Sequence, residues 1–188
     1  MLASSHKGEE EELIPLIKKL YVKYSNTLFY VAPRHPERSS SIEKMFNHKK
    51  LKCTKKSNLK NNNSRVIIVD SFGNLNSYFH KSDIVFLGGS LIPAGGHNPI
   101  EPAVNKCAIL TGSHIFNWQN IFNEMIENQA CIKVDSLEDL KINLINLIND
   151  KNKLQEMKNN AYNFSQKQFI DTKILDNIIN HHMHLTIC

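Results

Sequence analysis

Short, continuous apolar runs alternate along the chain with segments whose apolar residues recur every three or four positions. The runs are Leu28–Ala32, Val66–Val69, Ile84–Leu87, Ala108–Leu110 and Ala130–Val134. They are brief and rich in β-branched or aromatic residues, the pattern of strands covered on both faces. Between them, Glu9–Lys23 sets Leu13, Leu16, Ile17 and Leu20 on one helical face. Glu9–Glu12 fill its first turn, where the helix dipole favours negative charge. Pro15 predicts a kink or a later start for this helix. Further helices are predicted over Leu75–Lys81, Pro99–Asn105, Ile115–Asn128 and Leu137–Asp150, with one or two more over Leu154–Ile179. Strand–helix alternation of this density predicts an α/β, doubly wound parallel sheet of about five or six strands that binds ligands at the strands' carboxyl ends. Met1-Leu-Ala-Ser-Ser5 leaves little room before the first helix. A strand normally needs about five residues, so the first strand is expected to be clipped, as in a cut or split reading frame.

Composition narrows the picture modestly. With 188 residues, 41% of them hydrophobic and 22% charged, the chain can form one compact domain over 1–188 and is not compositionally disordered. No window approaches the ~20 apolar residues of a membrane span, and the amino terminus runs into Glu9–Glu12 rather than the apolar stretch of a signal peptide. Cys53, Cys107, Cys131 and Cys188 show no C-x-x-C spacing, which reads as a reducing compartment, and Cys107 and Cys131 sit in apolar runs as small buried hydrophobes. The net charge of +5 suits nucleic acid, an anionic membrane surface or a phosphorylated substrate without choosing among them. Nucleic-acid binding would rest on basicity alone and ranks low. The densest basic run, Lys49, Lys50, Lys52, Lys55, Lys56 and Lys60, reads as a solvated loop or, more sharply, as a contact for an acidic surface. His181, His182 and His184 read as a tail rather than as metal ligands.

The segment richest in candidate chemistry is Phe86-Leu-Gly-Gly-Ser-Leu-Ile-Pro-Ala-Gly-Gly-His-Asn-Pro-Ile-Glu-Pro102. Gly88 and Gly89 follow a strand and permit a sharp turn or close approach to a ligand. Gly95 and Gly96 lead into a helix start, with Asn98 suited to the N-cap, Pro99 to the first helical position and Glu101 to the third, as in a capping box. Glu101 can cap its own helix, contact a ligand, or do both.

Gly88–Ala103 resembles the hallmark stretch of the 3-deoxy-D-manno-octulosonic acid (Kdo) transferases. Other segments agree in the family's order. Ala3-Ser-Ser-His-Lys-Gly-Glu-Glu10 is similar to A-S-T-H-x-G-E-E, and Ala32-Pro-Arg-His-Pro-Glu-Arg38 contains P-R-H-P-E-R. Asp70-Ser-Phe-Gly-Asn-Leu75 stands where the family has D-T-M-G-E-L, and Gly112-Ser-His-Ile-Phe-Asn117 resembles G-P-H-x-x-N-F. The match runs through most of residues 3–130.

The resemblance implies the Rossmann-like C-terminal half of a two-domain GT-B glycosyltransferase, the half that binds CMP-Kdo. It implies transfer of Kdo to a lipid A precursor at the cytoplasmic face of the bacterial inner membrane. The acceptor and the catalytic carboxylate would belong to an N-terminal domain outside these residues, so no catalytic residue is assigned here. No cofactor and no metal are implied. By the resemblance, Pro33 and Arg34 lie near CMP, Phe72, Gly73 and Asn74 line the cytidine side, and Gly88, Gly89 and Ser90 form the glycine turn. Asn98, Pro99, Ile100 and Glu101 complete the site, Glu101 accepting from ribose hydroxyls. Ser5, His6 and Gly8, at the start of the first helix, and His97 are further candidates for the donor's anionic groups. For Arg34 the competing role is a surface ion pair with Glu37, and His35 reads as a loop residue. Backbone N–H groups are expected to share the phosphate with Arg34. The competing function is a folded remnant that binds CMP or a partner and transfers nothing.

Overall fold

The computed structural model describes residues 1–61, 64–73 and 75–184, with side chains described except at 60–61 and 169–184. Among the described residues seven strands form one sheet: β1 (Leu2–Ser5), β2 (Phe29–Pro33), β3 (Thr54–Lys55), β4 (Val66–Ile68), β5 (Ile84–Leu87), β6 (Ala108–Thr111) and β7 (Cys131–Lys133). All pairings are parallel, in the order β3-β4-β2-β1-β5-β6-β7. The α-helices are α1 (Glu9–Lys23), α2 (Ser39–His48), α3 (Leu75–Phe79), α4 (Ile100–Val104), α5 (Gln119–Glu127), α6 (Leu137–Asn149) and α7 (Lys151–His184).

Strand β1 is central. Leu2 lies between Val31 of β2 and Phe86 of β5, and Ala3 between Ala32 and Leu87. The chain winds outward from β1 through β2, then returns to β5 and winds the other way. The helices that follow β1 and β5, α1 and α4, therefore pack on opposite faces of the sheet, and in doubly wound sheets such a switch point is where ligands commonly bind.

The period-two alternation of the strands sends their side chains into two cores. Val31, Ile68, Phe86 and Leu110 meet Leu13 and Ile17 of α1, Ile42 and Phe46 of α2, and Leu140 and Leu147 of α6. Val85, Leu87 and Ile109 meet Phe79 of α3, Ala103 of α4, Phe122 and Met125 of α5, and Ala161 and Phe164 of α7. Burial pushes the Cys53 and Cys107 thiols up to about 12 and raises Cys131 as well, so these cysteines pack as apolar groups. Cys188 lies outside the described residues, as do the side chains of His181, His182 and His184.

Several expectations change in detail. The sheet has seven strands rather than five or six, because β3 is a two-residue edge strand inside the lysine-rich segment, too short and polar to appear as an apolar run. Helix α2, which carries Ile42, Met45 and Phe46 inward, has no counterpart among the predicted elements. Helix α1 does run from Glu9 through Pro15. Pro15 and Glu11 both face solvent, so the carbonyl that loses its partner can bond to water. Residues 115–118 turn before α5 begins at Gln119, and α7 is one continuous helix.

Candidate functional site

The motif residues gather at the carboxyl ends of β1, β2, β4 and β5. Backbone contacts join the first two loops: Arg34 N donates to Ser5 O at 2.9 Å. Arg38 reinforces this link, with Nη1 3.3 Å from Ser5 O and Nη2 2.9 Å from Glu10 Oε2. Glu10 is buried, and Ser5 Oγ donates to its other oxygen at 2.8 Å. The Ser5 hydroxyl is thus turned inward, where the sequence suggested a contact with the donor.

The loop after β1 is locked to the loop after β5 by two groups. The first is Glu9, fully buried, whose carboxylate accepts from the backbone N–H of His6, Gly89, Ser90 and Leu91. The second is a pair of imidazoles: His6 Nε2 and His97 Nε2 are 2.9 Å apart, with the rings stacked. Burial, then His6, then Arg34 lower the pKa of His97 to about 4, and Glu9 opposes the shift. His97 is a neutral imidazole at neutral pH, and it lies within electrostatic reach of Arg34.

Packing explains the two glycines. A Cβ on Gly88 would lie 2.7 Å from Ser4 O and from Ser5 Cα. Gly89 has φ of 67°, and a Cβ there would meet the His6 and His97 rings at 3.2–3.3 Å. The close approach expected of these glycines is made by the chain's own β1 loop and imidazoles. Ser90 is buried too, its hydroxyl donating to Leu87 O and accepting from Gly112 N at 2.8 Å. The Gly89 and Ser90 N–H groups donate to Glu9 and so are not among the backbone N–H groups free to share a phosphate with Arg34.

Arg34 is exposed, and among the described residues it makes no ion pair with Glu37. Glu37 instead faces His35, Nδ1 to Oε1 at 3.4 Å, and both are exposed. Pro33 is buried at the end of β2. Phe72 is 69% exposed and Gly73 turns with φ of 80°, so the aromatic ring is presented to solvent. Asn74 lies outside the described residues. Asn98 Oδ1 accepts from Ile100 N at 2.9 Å, but α4 begins at Ile100, so the N-cap position falls on buried Pro99 rather than on Asn98, one residue later than the sequence suggested. Glu101 does not close the capping box; it is exposed, and its Oε1 is 3.4 Å from Asn98 Nδ2. Asn105 Nδ2, at the end of α4, reaches Asn76 Oδ1 of α3 at 2.6 Å, which ties the Phe72 turn's helix to Glu101's helix. Gly8 begins α1 with φ of 104° and is exposed. An apolar cavity of about 450 Å³ lies at the opposite edge, lined by Leu2, Leu13, Phe29, Ile84 and Leu144 among others, away from all these motifs.

The arrangement presents an exposed guanidinium, an imidazole pair, an exposed aromatic ring and an exposed carboxylate around one sheet edge. Sequence reasoning missed Glu9, Glu10 and Arg38, the residues that hold this edge together.

The doubly wound sheet and its loop arrangement are those of the Rossmann-like C-terminal half of a GT-B glycosyltransferase. The C-terminal CMP-Kdo binding domain of WaaA from Acinetobacter baumannii is similar in structure, with a TM-score of 0.81 and 25% identity over 88% of this chain and 87% of that one. No family model matches the chain. The 3-deoxy-D-manno-octulosonic acid transferase of Haemophilus influenzae is 37% identical over 163 residues, 85% of this chain and 38% of that protein. That of Rickettsia felis is 33% identical over 180 residues, 94% of this chain and 38% of that protein. The chain belongs to the Kdo transferase family, and it spans about 38% of the length of these two relatives.

Proposed function

We propose that the chain binds CMP-Kdo at the carboxyl edge of β1, β2, β4 and β5, as the donor half of an enzyme that moves Kdo to a lipid A precursor. The observation that carries this reading is the exposed Arg34, unpaired among the described residues, at the end of β2 and within electrostatic reach of His97. Its planar fork of donors suits the phosphate or the sugar carboxylate. Phe72 would stack against cytosine, and Glu101 would accept from ribose hydroxyls, which a carboxylate does better than an amide. Pro33, Gly73, Asn74 and Asn98–Glu101 would complete the walls. Similarity to the CMP-Kdo binding domain from Acinetobacter supports the choice of ligand.

In this reading the acceptor and the group that activates it come from outside residues 1–188, and transfer takes place at the cytoplasmic face of the inner membrane, to which the enzyme is peripheral. No helix among the described residues is long and apolar enough to cross a membrane. A second reading takes residues 1–188 by themselves as a unit that holds CMP or a partner without transferring anything.

Calorimetric titration of CMP into wild type, Arg34→Ala and Glu101→Gln tests the site. A charge-assisted contact contributes about 1.5–3 kcal/mol, so each substitution should weaken binding roughly tenfold to a hundredfold. Unchanged affinity in both variants would remove the assignment and leave Glu101 as a helix-start residue.

A further inference from the structure

A glycine turn that follows a strand commonly offers its amide groups to a ligand phosphate. In this chain those groups already hold an anion. Glu9 Oε2 accepts from His6 N and Gly89 N at 2.8 Å each, and Oε1 accepts from Ser90 N and Leu91 N at 3.1 Å each. Two oxygens offer about four lone-pair sites, and four N–H groups fill them. Glu9 is 0% exposed and has no cationic partner within ion-pair distance among the described residues, the neighbouring Arg38 being engaged by Glu10. Its charge is compensated by backbone dipoles, the way proteins hold a bound phosphate. The His6–His97 rings pack against Gly89 and leave that turn no open face on their side.

We propose that Glu9 is a resident stand-in for a phosphate: a positioning residue that fixes the Gly88–Leu91 turn and closes its amides to the donor, so that the donor phosphate is read by rim side chains, Arg34 first. The second half rests on the donor-binding reading above; the first half does not.

Removing the carboxylate should convert the turn into a true anion site. In Glu9→Ala, sodium acetate should raise the melting temperature saturably, by roughly 2–4 °C or more over a sodium chloride control, and should shift the Gly89, Ser90 and Leu91 amide resonances. Wild type should show neither effect. A folded Glu9→Ala that responds to acetate no more than to chloride overturns the proposal. Should Glu9→Ala not fold, Glu9→Asp and Glu9→Gln decide the matter. Asp keeps the anion and should retain more stability, although Gln is closer in size; Gln equal to or better than Asp overturns it. For the donor half, CMP added to wild type should leave the Gly89–Leu91 amide resonances in place while moving the Arg34 side-chain signal. Large shifts at the three amides would mean that phosphate enters the turn after all. Failure of wild type to bind CMP would remove the donor reading, while the acetate arm would still decide the role of Glu9.

Discussion

His6 and His97 stand 91 positions apart in the chain and meet Nε2 to Nε2 at 2.9 Å, across the seam between the β1 and β5 loops. Such a contact holds one shared proton; a second would set two N–H groups against each other. Burial first, and the His6 contact second, make His97 resist protonation until about pH 4, against about 6.5 for an unfolded histidine. Between those values the unfolded chain takes up a proton that the folded chain refuses. His97 thus costs no stability above pH 6.5, and its penalty grows as pH falls through the window and is complete near pH 4. Because His97 is only partly buried, the loss is on the order of 1–2 kcal/mol. Urea unfolding of wild type and His97→Asn at pH 7 and 4.5 checks this: wild type should lose its advantage over the variant, or fall below it, at the lower pH. Parallel loss in both proteins would assign the titration elsewhere.

The Arg38–Glu10 pair is a second seam, between β1 and β2. Glu10 has 1% side-chain exposure, so Arg38→Ala leaves a buried carboxylate with Ser5 as its remaining described partner. A loss of about 3 kcal/mol is expected, read by chemical denaturation. Arg38→Met with Glu10→Gln, which removes both charges, should recover much of it.

Gly88→Ala and Gly89→Ala should both destabilise, by on the order of 1–3 kcal/mol. Gly88→Ala should cost more, because its new methyl meets backbone atoms of Ser4 and Ser5, while at Gly89 it meets the tips of two rings. Thermal melts of the two variants give the order directly.

Incubated alone with CMP-Kdo and a lipid A precursor, the 188-residue chain should transfer no Kdo. Product detected by mass spectrometry would show that residues 1–188 supply the whole catalytic apparatus, contrary to the proposed division of labour.

Much of the fold was legible because buried parallel strands announce themselves as apolar runs: Ile84–Leu87 and Val66–Ile68 appear almost as read. Strand β3 was hidden because an edge pair of Thr54 and Lys55 needs one neighbour and no apolar run. The spacing of Ile42, Met45 and Phe46 did carry a signal for α2, weakened by the three serines of its own first turn and by polar residues around it. In the site, the exposed candidates Arg34, Phe72 and Glu101 could be named from their motifs. The inward turn of Ser5 and Ser90 could not, since it depends on Glu10 and Gly112, which topology rather than local sequence brings near. For Glu9 and Glu10 a helix-dipole rule sufficed locally and obscured their burial. Their phase was the available clue: each stands four residues before a core residue, Leu13 and Ile14.

The reach of Glu9 also gives this domain an order in time. Its partners Gly89, Ser90 and Leu91 are 80–82 positions downstream. At a synthesis rate of about 5–20 residues per second, the carboxylate spends several seconds charged and hydrated before those amides exist. Until then α1 carries Glu9 without its three downstream partners at the head of its apolar stripe and docks poorly. Arrival of the β5 turn removes that obstacle in one step, so the halves of the sheet on either side of β1 should be completed together rather than in succession.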